Sequence, residues 1–280
     1  MNRPFLKWAG NKYRVLSHIL PIIGEPKQYI EPFFGSMAVA LNVRSDCYVL
    51  NDANGDLVNL YRFAVNDKDF INDCETLFKE NNNPETYYEL RNKFNTIKDE
   101  REKSLIFVYL NRHCFNGLTR YNSSGEFNVP FGKYKAPYFP REEMQNYKDY
   151  FSSKFLVRIT SYDFADERLY EGVDSNTVVY FDPPYLPHGE TGFTNYVTEG
   201  FSYDDQVRLR DLALKIASKG AKVLLSNHDT PVARELYSGA FLASFSVNRF
   251  ISAKGSSRKP AKELLAVWGL TNEERCGILG

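Results

Sequence analysis

The apolar positions of the chain fall into short continuous runs separated by stretches of helical periodicity. The clearest run, Thr177-Val178-Val179-Tyr180-Phe181, is β-branched or aromatic almost throughout, and Asp182-Pro183-Pro184-Tyr185 follows it at once. A run without polar alternation predicts a strand buried on both faces, as in a parallel sheet. The two prolines end it, because proline donates no ladder hydrogen bond. Further strands are predicted at residues 28–30, 47–50, 155–159 and 222–225, and helices at 12–20, 36–42, 56–66 and 204–219. Alternating strand and helix implies an α/β fold with a doubly wound, mostly parallel sheet. Two late strands, at 243–251 and 263–268, predict an antiparallel terminal hairpin.

About a hundred residues separate the second strand from the third, too many for an ordinary connection. The spacing predicts an inserted, mainly helical subdomain over residues 55–140, with helices at 61–79, 85–95 and 102–110 and a loop-like part at 111–140. Residues 1–54 and 141–270 then form the main domain, and 271–280 a tail.

Composition changes this picture little. The chain has 280 residues, 35 Lys plus Arg against 35 Asp plus Glu, and zero formal net charge. Charge is unevenly distributed, however. Arg112, Arg120, Lys133, Lys135 and Arg141 face one acid, Glu126, between residues 110 and 141. Arg249, Lys254, Arg258, Lys259 and Lys262 fall in an acid-free stretch from 246 to 262. Such stripes suit phosphate contact, or two solvated loops. Four dispersed cysteines and four histidines show no metal-ligand spacing, so no metal is expected. No signal peptide or membrane span is expected, and the default is a cytoplasmic protein.

The candidate chemistry sits at predicted strand ends, where open α/β sheets bind ligands. Asp182, the Pro183 carbonyl and the Tyr185 ring offer an acidic acceptor, a second acceptor and a flat aromatic face, which suit an amino group on a planar base. Phe33-Phe34-Gly35 follows the first strand, and a glycine there lets a ligand approach the backbone. Asp52, 17 residues further on, ends the second strand, where an acid typically holds ribose hydroxyls. A ribose without a phosphate-cradling loop fits S-adenosylmethionine better than a dinucleotide. Each signal alone also fits an ordinary turn.

Longer motifs bring in a resemblance. Phe5-Leu6-Lys7-Trp8-Ala9-Gly10-Asn11-Lys12, Leu50-Asn51-Asp52-Ala53-Asn54, Asn116-Gly117-Leu118-Thr119-Arg120-Tyr121-Asn122 and Gly125 to Tyr134 occur in order before Asp182-Pro183-Pro184-Tyr185. Together they resemble DNA adenine-N6 methyltransferases of the Dam type, in the alpha group of motif order, over nearly the whole chain. The resemblance implies a Rossmann-like methyltransferase sheet with the insert as DNA-recognition subdomain. It implies Asp182, Pro183, Pro184 and Tyr185 as catalytic residues and S-adenosylmethionine held by Trp8, Lys12, Phe33, Gly35, Asp52, Tyr162, Asp163 and Asp182. Which of Ser161, Tyr162 and Asp163 would touch the cofactor adenine stays open.

The same resemblance implies double-stranded DNA as partner, read at GATC. Lys7 would contact the first guanine and Arg120 the guanine of the other strand. Leu118 and Pro130 would pack on a thymine methyl, and Tyr134 belongs to the same reading set. Phe115 would intercalate, Asn116 would face the orphaned thymine, and Arg91 and Lys133 would touch phosphates. One departure is Met37, where many relatives carry a second glycine; another is Phe115 in place of a tyrosine. The implied enzyme is a monomeric, nucleoid-associated, site-specific adenine methyltransferase acting by base flipping and direct transfer. An adenine methyltransferase of relaxed specificity, or a catalytically inactive DNA- or partner-binding module, remain alternatives.

Overall fold

The computed structural model describes residues 1–186, 197–198, 201–247, 261–271 and 274. Its seven-stranded sheet is built from β1 (Gln28–Glu31), β2 (Cys47–Asn51), β3 (Leu156–Thr160), β4 (Thr177–Phe181), β7 (Lys222–His228), β8 (Phe241–Val247) and β9 (Ala261–Trp268), in the order β3-β2-β1-β4-β7-β9-β8. A separate antiparallel pair joins β5 (Val197–Thr198) to β6 (Phe201–Ser202). β2, β1, β4 and β7 pair in parallel, and β7, β9 and β8 pair antiparallel. The sheet is therefore the mostly parallel one expected, with its terminal hairpin. β4 lies at its centre and is buried along its whole length. The part of the hairpin strand predicted over 248–251, and most of the basic stretch from 246 to 262, lie outside the described residues.

Packing divides the chain into two compact units. One comprises residues 14–33, 43–51 and 162–280 and carries every sheet strand except β3, together with α1 (Leu16–Ile23). Its core is Ile30, Val49, Val179, Phe181, Val223, Leu225, Leu264 and Ala266 from the strands, with Leu209, Ala213 and Ile216 contributed by the helix that will be α7 (Tyr203–Ala217) and Leu236 by α8 (Pro231–Leu236). Ser202 starts α7 with a capping box: its hydroxyl accepts the Asp205 N–H while the Asp205 carboxylate accepts the Ser202 N–H.

The other unit comprises residues 1–13, 34–42 and 52–161. It contains α2 (Gly55–Asn66), α3 (Phe70–Glu80), α4 (Pro84–Thr96), α5 (Glu100–His113) and α6 (Arg141–Ser152). The side chains of Asn54, Asn83 and Asp99 cap α2, α4 and α5 by accepting N–H groups of the first turn. Where one helix was expected over 61–79 there are two, because Asp67 is extended and turns the chain out after Asn66. The helix expected over 36–42 is also absent; only Ala40–Asn42 forms a short 3-10 turn. The cause is local. Gly35 and Met37 have φ of 47° and 57°, a left-handed backbone that cannot continue a right-handed helix.

Candidate active site

Asp182 follows the last residue of β4, and Asp52 follows the last residue of β2. β1, β2 and β4 run parallel, so all three strands end at the same edge of the sheet.

In the sheet-bearing unit the Asp-Pro-Pro-Tyr corner is tightly seated. Pro183 and Leu186 are buried, Asp182 and Tyr185 half-buried, and Pro184 exposed. The Tyr185 ring meets the His228 ring edge-on, with centroids 4.7 Å apart. Burial, and next the Asp182 carboxylate, push the Tyr185 hydroxyl well above the usual phenol range, so the residue acts as a neutral ring.

Other residues of this unit have local partners. Phe33 packs its ring against Phe164, Phe181 and Phe201, and so joins the aromatic part of the core. Tyr162 is fixed by Asn51, whose side chain accepts the Tyr162 N–H at 2.8 Å and donates to its carbonyl at 3.0 Å. The Tyr162 ring lies under the Arg168 guanidinium, 3.8 Å from its centroid. Asp163 is ion-paired with Arg208 at 3.0 Å.

In the helical unit, Asp52 accepts the Gly35 N–H at 3.0 Å and the Asn54 N–H at 2.9 Å. Burial pushes its carboxyl up to about 6, although these two N–H groups pull it down. Each carboxylate oxygen keeps a lone pair for a hydroxyl donor. The Trp8 indole covers Gly35 so closely that a Cβ there would sit 2.8 Å from Trp8 Nε1. Glycine is therefore required beneath the indole and favoured by the positive φ. Met37 is fully buried while holding its left-handed φ. That conformation costs roughly 1–2 kcal/mol, which burial of the thioether, worth about 1.5–3 kcal/mol, offsets. The backbone shape natural to a glycine is thus kept at position 37. Lys12 is buried, and its ammonium donates to the Gly10 carbonyl at 2.7 Å.

The stretch expected to be loop-like over 111–140 contains an irregular hairpin. Cys114 bridges to Phe131 and Tyr121 to Phe127 in antiparallel fashion, and the tip closes where the Asn122 side chain accepts the N–H groups of Ser124 and Glu126. α4 braces it: Asn95 makes two hydrogen bonds to the Phe127 backbone, and the Tyr87 hydroxyl donates to the Val129 carbonyl at 2.8 Å. Along this hairpin lie Phe115, Asn116, Leu118, Arg120, Pro130, Lys133 and Tyr134. Phe115 is 50% exposed, and Asn116, Arg120, Pro130 and Lys133 are exposed. Asn116 and Lys133 have φ of 56° and 55°. Arg120 donates from Nε to Asn128 Oδ1 at 2.7 Å.

Lys7 joins this surface through two contacts. Its stem packs on Gly117, where any Cβ would collide with it. Its ammonium lies 4.4 Å from the centroid of the Tyr134 ring, and the Tyr134 hydroxyl accepts the Asn116 N–H at 3.0 Å. Burial, and next the Arg112 charge, lower the Lys7 ammonium below its ordinary range. Arg91 points inward, donating to the Val129 carbonyl at 3.3 Å, with its guanidinium over the Tyr88 ring.

Two expectations are corrected. Arg112 was counted in the basic stripe over residues 110–141, but it and its neighbour His113 are buried in the last turn of α5. Arg112 donates to the Phe5 carbonyl, and desolvation lowers it to about 10. His113 stacks on Tyr109, and burial lowers it to about 4, so it is a neutral core residue. Arg141 is ion-paired with Glu75. The basic stripe is therefore carried by Arg120, Lys133 and Lys135.

One positioning residue was missed. Asn111, fully buried, accepts the Lys7 N–H at 2.9 Å and donates to the Lys7 carbonyl at 2.7 Å, fixing the Lys7 backbone from 104 residues away. No local pattern marks it, because its partners are backbone atoms brought in by folding.

A mostly parallel sheet with Asp-Pro-Pro-Tyr at the end of its central strand is the frame of an α/β methyltransferase that acts on amino groups. The sequence profile of the D12 class N6 adenine-specific DNA methyltransferases matches residues 8–250, and the chain belongs to that family. It is 43% identical over 275 residues to a DNA adenine methylase of Haemophilus influenzae, covering 96% of this chain and 94% of that protein. It is 42% identical to one of Vibrio cholerae, over 95% of this chain and 96% of the other, and 40% identical to that of Escherichia coli K12, over 95% of each. Among the described residues no helix is long and apolar enough to cross a membrane, and no group of three or more His, Cys, Asp or Glu is placed to hold a metal ion.

Proposed function

We propose that the protein methylates adenine N6 in GATC sites of double-stranded DNA, on a base flipped out of the helix, with S-adenosylmethionine as methyl donor. The observation that carries this reading is the Asp182–Tyr185 corner at the end of a fully buried central strand, in a chain of this family.

The residues present fit the donor. Gly35 lets the Trp8 indole close over the backbone beside Asp52, and Asp52 offers two acceptor oxygens for ribose hydroxyls. Trp8, Lys12, Gly35, Asp52, Tyr162 and Asp163 would hold it, with Phe33 supporting from the core. S-adenosylmethionine supplies an electrophilic methyl group when bound. The rest falls to side chains. Adenine N6 is a weak nucleophile because its lone pair is delocalised into the ring. Asp182 and the Pro183 carbonyl accept hydrogen bonds from the amino group, localise that pair and offset the positive charge growing on nitrogen. Tyr185, neutral and held against His228, stacks on the base. The base must leave the duplex, at a cost of a few kcal/mol; Phe115 fills the space and Asn116 faces the orphaned thymine.

The elevated Asp52 carboxyl has a consequence for pH. Below about 6 it is neutral, and its bonds to ribose lose their charge assistance. The dissociation constant for S-adenosylmethionine, followed by calorimetry, should rise roughly tenfold per pH unit below 6 if only the ionised form binds. Asp52→Asn should bind weakly at pH 7.5 and show no such slope. A slope unchanged in the variant would assign the titration to another group.

Sequence reading is tested with a panel of duplexes in which each position of GATC is changed in turn. With Nε held by Asn128, Arg120 offers its terminal amino groups to guanine O6 and N7. Arg120→Ala should lose about 1–3 kcal/mol of discrimination at one guanine and retain it elsewhere. Wild-type methylation that is indifferent to every change in the panel would refute GATC recognition.

A further inference from the structure

The Asp182–Leu186 loop has few handles. Its two prolines carry no N–H, so its backbone can be held only through carbonyls and the N–H groups of Asp182, Tyr185 and Leu186. A buried polar network takes hold of both sides of Tyr185. Gln206, on α7 and 1% exposed, donates from Nε2 to the Pro184 carbonyl at 2.8 Å. Asn227, at the end of β7 and fully buried, accepts the Leu186 N–H at 3.0 Å. The two are joined. Asn227 Nδ2 donates to Gln206 Oε1 at 3.2 Å and to the Tyr237 hydroxyl at 3.2 Å, and that hydroxyl donates to Gln206 Oε1 at 2.7 Å. Asn227 Oδ1 also accepts the His228 N–H at 2.8 Å, tying the network to the residue whose ring meets Tyr185.

We propose that Gln206, Asn227 and Tyr237 form a positioning network that fixes the Tyr185 ring and, two residues further back, the Pro183 carbonyl in the geometry required for methyl transfer. None of the three touches the reacting atoms. Three buried polar groups are costly where apolar side chains would fill the same volume, and the cost is recovered only when every donor and acceptor is matched. Two of these three side chains spend a hydrogen bond directly on the loop's backbone. The orientation of each amide is dictated: Gln206 must donate to a carbonyl and Asn227 must accept from an N–H, so neither can flip without losing a partner. Local helix and strand formation at α7 and β7 does not require these contacts, since both elements complete their own backbone hydrogen bonding. This inference rests on the reading of Asp182–Tyr185 as the catalytic corner.

Gln206→Glu provides the test. The ionised glutamate cannot donate to the Pro184 carbonyl and repels it, whereas the protonated acid donates there and still accepts from Asn227 and Tyr237. Burial raises a carboxyl's pKa, which brings this switch toward the neutral range. The measurement is the single-turnover methylation rate of a GATC duplex at saturating DNA and S-adenosylmethionine, from pH 6 to 8.5. Dividing each rate by that of wild type at the same pH cancels other titrating groups, Asp52 included. The expected ratio is depressed about tenfold at pH 8.5, the effect of one lost buried hydrogen bond, and returns toward one near pH 6. Recovery on lowering the pH shows that the protein is folded throughout. Gln206→Met, close in shape and without polar atoms, should show a loss that does not change with pH, with dissociation constants for cofactor and DNA within about twofold of wild type. A Gln206→Glu ratio that is flat with pH, or a Gln206→Met rate equal to wild type, overturns the positioning role. Asp182→Ala, run alongside, separates the two levels: full activity in that variant would remove the catalytic corner itself, while its inactivity beside an undisturbed Gln206→Met removes only the network.

Discussion

Asp182→Ala should reduce methyl transfer to adenine by about a hundredfold to a thousandfold or more, the range seen when one preorganised partner of a developing charge is removed. The loss should fall on the single-turnover rate, because the carboxylate matters most when positive charge builds on the amino nitrogen. Asp182→Asn preserves the shape of the corner but presents a neutral amide, so its rate should also fall sharply. The comparison is informative because β4 and the loop behind it are held independently of the Asp182 side chain, through buried strand pairing on both sides and through Pro183 and Leu186. Near-normal turnover by either variant would remove Asp182 from the reaction.

The second large effect is expected at Phe115. Its ring is half exposed at the base of the hairpin, next to Asn116 in a left-handed turn. If the ring fills the gap left by the flipped adenine, Phe115→Ala should lose stacking worth roughly 1–3 kcal/mol, by analogy with aromatic platforms for single-stranded bases. Methylation of a fully paired duplex should slow accordingly, while cofactor affinity stays unchanged. A duplex whose target adenine is mispaired or faces an abasic site already has a reduced flipping penalty. On that substrate the variant should recover much of its rate. Equal impairment on paired and unpaired targets would make Phe115 a structural residue and pass the flipping role to another side chain.

The parallel strands were legible in the chain because continuous apolar runs closed by Pro or Asp have few other readings. The Asp182–Tyr185 corner was legible for the same reason. Other features depended on what folding brings together. At residues 36–42 an apolar, helix-compatible composition was overridden by left-handed backbone at Gly35 and Met37, and the sequence shows a glycine at only one of these. Arg112 counted toward the basic stripe, yet it and His113 are buried at the end of α5, where a backbone carbonyl and an aromatic ring receive them. Asn111, Gln206 and Asn227 are polar residues without motif or spacing. Their partners are backbone atoms of Lys7, Pro184 and Leu186, 22 to 104 residues away in sequence, and no period-based reading can find such pairs. Arg120, Pro130 and Lys133, which the motifs offered as DNA contacts, lie at the surface of a hairpin where a loop was expected.

The central claim is methyl transfer to one adenine nitrogen in one sequence, and the most direct measurement follows the methyl group itself. A duplex with a single GATC is incubated with S-adenosylmethionine carrying a deuterated methyl, digested to nucleosides and analysed by mass spectrometry. The account predicts label in N6-methyl-2′-deoxyadenosine alone, at one adenine per strand, and none in a duplex whose GATC is scrambled. Duplex binding without incorporation, or label on any other base or atom, would contradict it.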